Sequence, residues 1–101
     1  MKNSLANTSS NILQIVQHNS FKKDFKLLIK RGYDKNELFE VIDLIAAQEP
    51  LPPKYKNHKL VGISYEFMEC HIRPDWLLIY KVDIEQGIVY LVRTGTHSDL
   101  F

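Results

Sequence analysis

Residues 65–93 read YEFMECHIRPDWLLIYKVDIEQGIVYLVR, and their apolar side chains recur with a period close to two. Successive side chains of a strand point to opposite faces, so this spacing predicts β-strands rather than helices. The predicted strands are Tyr65–Arg73, Trp76–Val82 and Ile88–Arg93, with turns at Pro74–Asp75 and around Gly87. Three successive strands joined by short turns predict an antiparallel meander.

Alternation also assigns the side chains of the first predicted strand to its two faces. One face is predicted to carry Phe67, Glu69, His71 and Arg73, and the other Met68, Cys70 and Ile72. Polar side chains therefore share a face with His71, while Cys70 points the other way.

Helical periodicity precedes the meander. Ser20 is a good N-cap for a helix from Phe21 to Arg31, and Gly32 suits the position after its C-terminus. Asp34 then caps a second helix, with Glu37 three residues later as in a capping box. The apolar stripe of this helix consists of Leu38, Val41, Ile42 and Ile45, and the helix ends before Pro50, Pro52 and Pro53.

Two short strands complete the predicted elements, Ile12–Gln17 at an edge and Lys59–Ile63 after the prolines. Helices first and sheet second predict an α+β fold in which two antiparallel helices pack on one face of a small, mainly antiparallel sheet. At 101 residues the chain has room for one domain, predicted over residues 11–101. Residues 1–10 are polar and are predicted to be a disordered leader.

Composition indicates where the protein works. Cys70 is the single cysteine, which favours a reducing compartment, and no apolar run approaches the roughly 20 residues of a membrane helix. We therefore predict a cytoplasmic protein without a membrane partner. The net charge is +1, but seven basic residues against two acidic ones between Lys2 and Lys35, and the loop lysines Lys54, Lys56 and Lys59, could follow a phosphate backbone. A solvated helix face explains such a charge run equally simply.

The C-terminal half gathers groups suited to cutting RNA. His58, His71 and His97 occur there with Asp75 and Arg93. A base must remove the 2′-hydroxyl proton, an acid must protonate the departing 5′-oxygen, and a cation must balance charge on the phosphoryl group. Histidine suits the first two roles and arginine the third, while Trp76 and Phe101 could stack bases.

Each of these residues also has a purely structural interpretation. His71 on a strand could be a hydrogen-bonded structural histidine, Asp75 an ordinary turn residue, and Trp76 a core side chain. No spacing matches a zinc site and no Gly-rich loop binds phosphate, so neither a metal nor a cofactor is predicted.

Three stretches resemble one known family. These are NHKL at 57–60, ECHIRPDWLLIY at 69–80 and RTGTHSDLF at 93–101, and the proline-rich step EPLPPKYK at 49–56 matches as well. They resemble the YafQ branch of the RelE-type bacterial toxins over about residues 12–101. The resemblance implies a ribosome-dependent endoribonuclease that cuts mRNA in the vacant decoding site, contacts 16S rRNA, and is held inactive by a cognate antitoxin in a heteromeric complex.

The resemblance also implies residue roles. The acid–base set would be His58, His71, Asp75 and His97, with His97 as the acid and Asp75 or His71 as the base. The expected substrate-binding residues are Arg93 on the scissile phosphate, Trp76 and Phe101 placing the RNA, and Lys54, Lys56 and Lys59 gripping RNA.

Two alternatives remain open at this level. ParE-type toxins resemble the same fold but bind DNA gyrase without cutting RNA, although a binding surface needs no acid–base set. The second is an inactive relative, because Met68 stands where members of the branch commonly carry a basic residue.

Overall fold

The computed structural model describes residues 11–60 and 66–101. The elements are, in chain order, β1 (Gln14–Gln17), α1 (Asn19–Lys30), α2 (Lys35–Ala46), the 3-10 turn η1 (Pro53–Tyr55), β2 (His58–Lys59), β3 (Met68–Arg73), β4 (Trp76–Asp83), β5 (Ile88–Gly95) and α3 (His97–Leu100). The predicted edge strand, the three strands of the predicted meander and both long helices are present, and α3 is an addition that periodicity did not predict. Of the strand predicted over Lys59–Ile63, the structure describes Lys59, in β2, and Leu60.

The strands form one sheet in the order β1-β5-β4-β3-β2. The pairs from β2 to β5 are antiparallel, and β1 alone pairs in parallel, with β5. The predicted meander and the predicted edge strand are therefore confirmed.

The main core lies between the helices and one face of the sheet. Leu38 and Val41 of α2 and Phe21 and Leu28 of α1 are buried there. The sheet contributes Cys70, Ile72, Trp76, Leu78, Tyr80, Val89 and Leu91. A stacked pair of rings, Phe25 and Phe39 with centroids 5.8 Å apart, joins the two helices.

Two details of the helix ends differ from the sequence prediction. Ser20 does not cap α1, because the helix begins at Asn19 and the Ser20 hydroxyl donates instead to the Val92 carbonyl at 2.7 Å. Asp34 does cap α2, accepting from the Asn36 N–H at 2.9 Å. The predicted capping box is wrong, because the Glu37 carboxylate pairs with Arg73. Gly32 lies after α1 with φ +86, as predicted for a helix C-terminus.

Some predictions concern segments outside the described residues. These are the leader 1–10, residues 61–63 of the strand predicted over Lys59–Ile63, and residue 65 of the strand predicted over Tyr65–Arg73.

Candidate functional site

The sheet face opposite the helices carries the histidines. His58 of β2 pairs with Glu69 of β3, and Glu69 in turn pairs with Ile79 of β4. Directly paired residues lie on the same face, so His58 and Glu69 stand side by side. His71 is two residues beyond Glu69 and therefore shares that face, as alternation predicted. Leu77 and Ile79, both buried, lie on this face too and form its floor.

Glu69 is a buried carboxylate between two histidines. Its side chain is 9% exposed, and its Oε1 lies 3.1 Å from His58 Nε2 and 3.6 Å from His71 Nε2. The other ring nitrogen of His58, Nδ1, lies 2.6 Å from the Lys56 carbonyl oxygen. Lys56 has a left-handed backbone, φ 48, at the end of η1. Both ring nitrogens of His58 therefore face acceptors, and only the doubly protonated ring donates to both.

His71 occupies the centre of the histidine row. Its ring centroid lies 6.1 Å from that of His58 and 5.9 Å from that of His97. The Nδ1 atom faces the Pro74 carbonyl at 3.2 Å, which favours the tautomer with a proton on Nδ1. Its Nε2 then carries the lone pair, and at 3.6 Å from Glu69 it lies beyond normal hydrogen-bond distance.

His97 is held by Asp75 across the site. Asp75 Oδ1 accepts from the backbone N–H of His97 at 2.9 Å and lies 2.5 Å from His97 Nδ1. The His97 side chain is 54% exposed, so its Nε2 is left for a ligand. The backbone and ring N–H groups of His97 lower the pKa of Asp75, which keeps this carboxylate ionised and makes it a weak base.

Arg93 pairs with an acidic residue of α1. Its Nε donates to Asp24 Oδ2 at 2.6 Å and its Nη2 to Asp24 Oδ1 at 3.1 Å. The hydrogen bonds from Arg93 to Asp24 raise the pKa of Arg93. Arg93 ends a sheet row that begins at His58 three strands away, about 14 Å at the usual strand spacing. The guanidinium of Arg93 is therefore paired with Asp24 of α1 in this structure, and the expected contact of Arg93 with the scissile phosphate stays a prediction.

Trp76 is a core residue. It is 2% exposed, its Nε1 donates to Thr94 Oγ1 at 3.0 Å, and Tyr33 packs edge-on against its ring. The ring of Trp76 is buried because β4 turns it toward the helices, and the expected role of Trp76 in placing the RNA stays a prediction. Phe101, 61% exposed, keeps an accessible ring at the C-terminus.

The loop lysines have different surroundings. Lys54 and Lys56 line an open cavity of about 510 Å³ that reaches His71 and Arg73. Lys59 pairs with Met68, and both therefore lie on the face opposite His58. Met68 packs against the helix-side core, so it takes no contact away from the histidines.

Two residues of this region were missed by sequence reasoning. Alternation placed Glu69 beside His71, and that signal could have added it to the candidate set. Arg73 donates to Glu37 at 2.8 and 2.6 Å and borders the cavities on both sides of Pro74. A helix-to-strand ion pair of this kind has no local sequence signal.

A sequence model described as a bacterial toxin of type II toxin-antitoxin system, YafQ, matches residues 13–101. The chain belongs to the YafQ family. It is 40% identical over 82 residues to the mRNA interferase toxin YafQ of Escherichia coli K12, which is 80% of this chain and 87% of that protein.

Solved structures of YafQ-like proteins share the fold. A metal-bound toxin from Helicobacter pylori superposes with a TM-score of 0.85 at 43% identity, covering 89% of this chain and 100% of the other. A chain of the Escherichia coli DinJ-YafQ toxin-antitoxin complex gives a TM-score of 0.80 at 38% identity, with coverage of 88% and 97%. The predicted family and fold class are thereby confirmed.

Within 11–60 and 66–101, no group of three or more His, Cys, Asp or Glu side chains has the arrangement of a metal site. In the same residues, no helix has the length and apolarity needed to cross a membrane.

Proposed function

We propose that this chain is a ribosome-dependent mRNA interferase, which cuts mRNA in the ribosomal A site by acid–base chemistry without a metal ion. The observation that carries the proposal is a pair of histidines, His71 and His97, each backed by a carboxylate, with ring centroids 5.9 Å apart. The name of the Escherichia coli relative, an mRNA interferase toxin, supports the substrate class.

His97 is the general acid. Asp75 accepts the Nδ1 proton and orients the ring, so the Nε2–H of the charged ring can be given to the departing 5′-oxygen. Asp75 itself is a poor base because its pKa is lowered, and we therefore give it the orienting role rather than the base role.

His71 is the general base. The Pro74 carbonyl fixes its tautomer and leaves the Nε2 lone pair for the 2′-hydroxyl proton. When His71 becomes charged, the Glu69 carboxylate 3.6 Å away stabilises it. The 2′-oxygen attacks phosphorus, the 5′-oxygen leaves with the proton of His97, and the products are a 2′,3′-cyclic phosphate and a 5′-hydroxyl.

Positive charge for the phosphoryl group comes from the other side of the site. His58, doubly hydrogen-bonded to acceptors, supplies a cation beside Glu69, and Lys54 and Lys56 border the adjoining cavity. These two lysines and the basic residues of α1 are placed to contact the phosphates of mRNA and 16S rRNA. Arg93 is left out of this set because its guanidinium is hydrogen-bonded to Asp24.

We further propose that a cognate antitoxin binds this chain, in the cytoplasm where ribosomes are found. A relative was crystallised in the DinJ-YafQ toxin-antitoxin complex. The exposed lysines and the exposed Phe101 ring suit an acidic segment that folds on binding.

The deciding experiment compares mRNA cleavage on translating ribosomes with cleavage of the same RNA alone, with EDTA present only in a parallel free-RNA control. Wild-type protein is expected to cut only on ribosomes and to leave 2′,3′-cyclic phosphate ends. His97→Ala should lower the rate by about 10²–10⁴. His18→Ala is the matched control, because His18 lies at the start of α1 against Tyr90, outside the histidine row, and should cut normally.

A folded wild-type protein that cuts nothing on ribosomes would contradict the proposal. The binding-only alternative, gyrase inhibition, would then be tested by supercoiling assays. Cutting on ribosomes that is lost when the protein alone has been treated with EDTA and then freed of it, and that returns with an added divalent metal, would contradict the metal-free mechanism while keeping the nuclease.

A further inference from the structure

A bidentate ion pair ties the last helix to the first. Arg31, directly after α1, donates from Nη1 to Asp99 Oδ2 at 2.7 Å and from Nη2 to Asp99 Oδ1 at 3.2 Å. The two residues are 68 positions apart in sequence, and their side chains are 38% and 22% exposed. Paired, planar guanidinium–carboxylate contacts fix orientation as well as distance.

Asp99 also organises the turn that presents His97. Its Oδ2 accepts from the Thr96 N–H at 2.9 Å, and its own N–H donates to Thr96 Oγ1 at 3.1 Å, which is a complete capping box. His97 is the first residue of α3, directly after the N-cap Thr96, so the cap sets the direction of its side chain. Arg31 and the Thr96 N–H hold the pKa of Asp99 well below its usual range.

Gly95 makes this arrangement possible. A Cβ added there would lie 3.0 Å from both Cβ and Oδ2 of Asp99, which is closer than side chains normally approach. The backbone at Gly95 has φ +157, a conformation that other residues rarely adopt. Asp99 thus packs against the backbone just before the catalytic turn.

We propose that Asp99, fixed by Arg31, is a positioning residue for the general acid: it sets the start of α3 so that His97 meets Asp75. The inference rests on the proposed function of His97. Neither Arg31 nor Asp99 contacts the Asp75–His97 pair through a bond of its own, so both act through the Thr96–His97 backbone.

The test uses Arg31→Met, Asp99→Asn and the double variant in the full chain. Arg31→Met keeps most of the side-chain length and removes the charge. Each single variant should lower kcat on ribosomes by about 10- to 100-fold with KM nearly unchanged, since a misplaced group costs rate rather than binding. The double variant should be no worse than the poorer single one, because both remove the same contact. Arg31→Lys should recover part of the rate.

Nitrogen-15 NMR of the His97 ring gives a readout that does not depend on cleavage. Wild type should show a hydrogen-bonded Nδ1–H facing Asp75, and Arg31→Met should show a mixture of tautomers. Asp83→Asn is the matched control: Asp83 caps the β4–β5 turn through the Gln86 N–H and should leave ring signal and rate unchanged.

An unchanged His97 ring signal and an unchanged kcat in Arg31→Met would overturn the positioning role. Loss of rate in Arg31→Met and Arg31→Lys in step with melting temperature, with normal ring signals below melting, would overturn it too. If wild-type protein cuts nothing, the proposed function fails, while the ring spectra still decide whether Arg31 and Asp99 hold His97.

Discussion

Replacing Glu69 with glutamine removes a buried negative charge and leaves the shape of the side chain almost unchanged. Glu69 Oε1 lies 3.6 Å from His71 Nε2, where two unit charges attract by about 4–5 kcal/mol at an effective dielectric constant of about 20. His71 is 17% exposed and water enters with the substrate, so only part of that energy reaches the transition state. We therefore expect Glu69→Gln to raise the activation free energy by about 1.4–2.8 kcal/mol, which corresponds to a kcat lowered by about 10- to 100-fold.

Stability should fall as well, but without loss of the fold. Glu69 Oε1 lies 3.1 Å from His58 Nε2, and removing one partner of a buried ion pair leaves the other without its counter-charge. We therefore expect Glu69→Gln to lower the midpoint of urea unfolding, to stay folded in the absence of urea, and to slow single-turnover cleavage on ribosomes. KM should change little, because the charge acts on His71 mainly after the proton has moved.

The matched control is Glu85→Gln in the exposed turn between β4 and β5. It removes the same charge from the chain without touching the site, and its kcat should equal that of wild type. A Glu69→Gln protein with wild-type kcat would refute the role of this carboxylate. A variant that lost activity only because it lost its fold would refute the separation of stability from chemistry.

Three further predictions concern the buried residues Trp76 and Cys70 and the dependence of stability on Asp99 at acidic pH. Trp76→Phe leaves Thr94 Oγ1 without its indole donor and should cost about 1–3 kcal/mol in urea unfolding, while a protein of unchanged stability would contradict the core role. Burial raises the pKa of Cys70 to about 12, so this thiol should ignore disulfide reagents at pH 8 until urea unfolds the chain; rapid labelling of the native protein would disagree. Asp99 has a folded pKa below its ordinary value of 3.8, so its stabilising effect is complete above that pH and is lost as pH falls below it. Asp99→Asn should therefore be less stable than wild type at pH 7, with the difference shrinking below pH 3.8; a constant difference would reject this linkage.

Much of the fold is encoded in local patterns. The period of two in residues 65–93 predicts the meander, and the same alternation places His71 on one face and Cys70 on the other. Gly32 and Asp34 mark the junction between the helices by chemistry that acts within a few residues. Such signals are readable because the physical cause and its effect lie close together in the chain.

Local sequence patterns do not reveal the surroundings of a side chain whose contacts are far away in the sequence. Trp76 begins an apolar strand, and only the position of the helices decides that its ring is buried. Arg93 is pinned by Asp24, 69 positions earlier, and no local pattern connects them. The Glu37 carboxylate pairs with Arg73, 36 positions later, instead of completing a capping box, and no local pattern connects these two residues either.

The site shows both situations. His58, His71 and His97 come from separate segments, and only the fold brings the rings of His58 and His97 to 6.1 and 5.9 Å from that of His71. The sequence could nominate them by residue type and by family resemblance. The contacts of Asp75 with His97 and of Glu69 with His71 depend on how the folded segments meet, which residue type does not reveal.

The most direct test of the central claim, that His97 protonates the leaving 5′-oxygen, replaces that oxygen by sulfur at the cleavage position of an mRNA on programmed ribosomes. A thiolate leaves without a proton, since thiols are far stronger acids than alcohols. We expect His97→Ala, which is slow on ordinary mRNA, to cut the sulfur-containing mRNA at nearly the wild-type rate. His71→Ala should stay slow on both substrates. A His97→Ala protein equally impaired on both substrates would contradict the assignment of His97 as the acid.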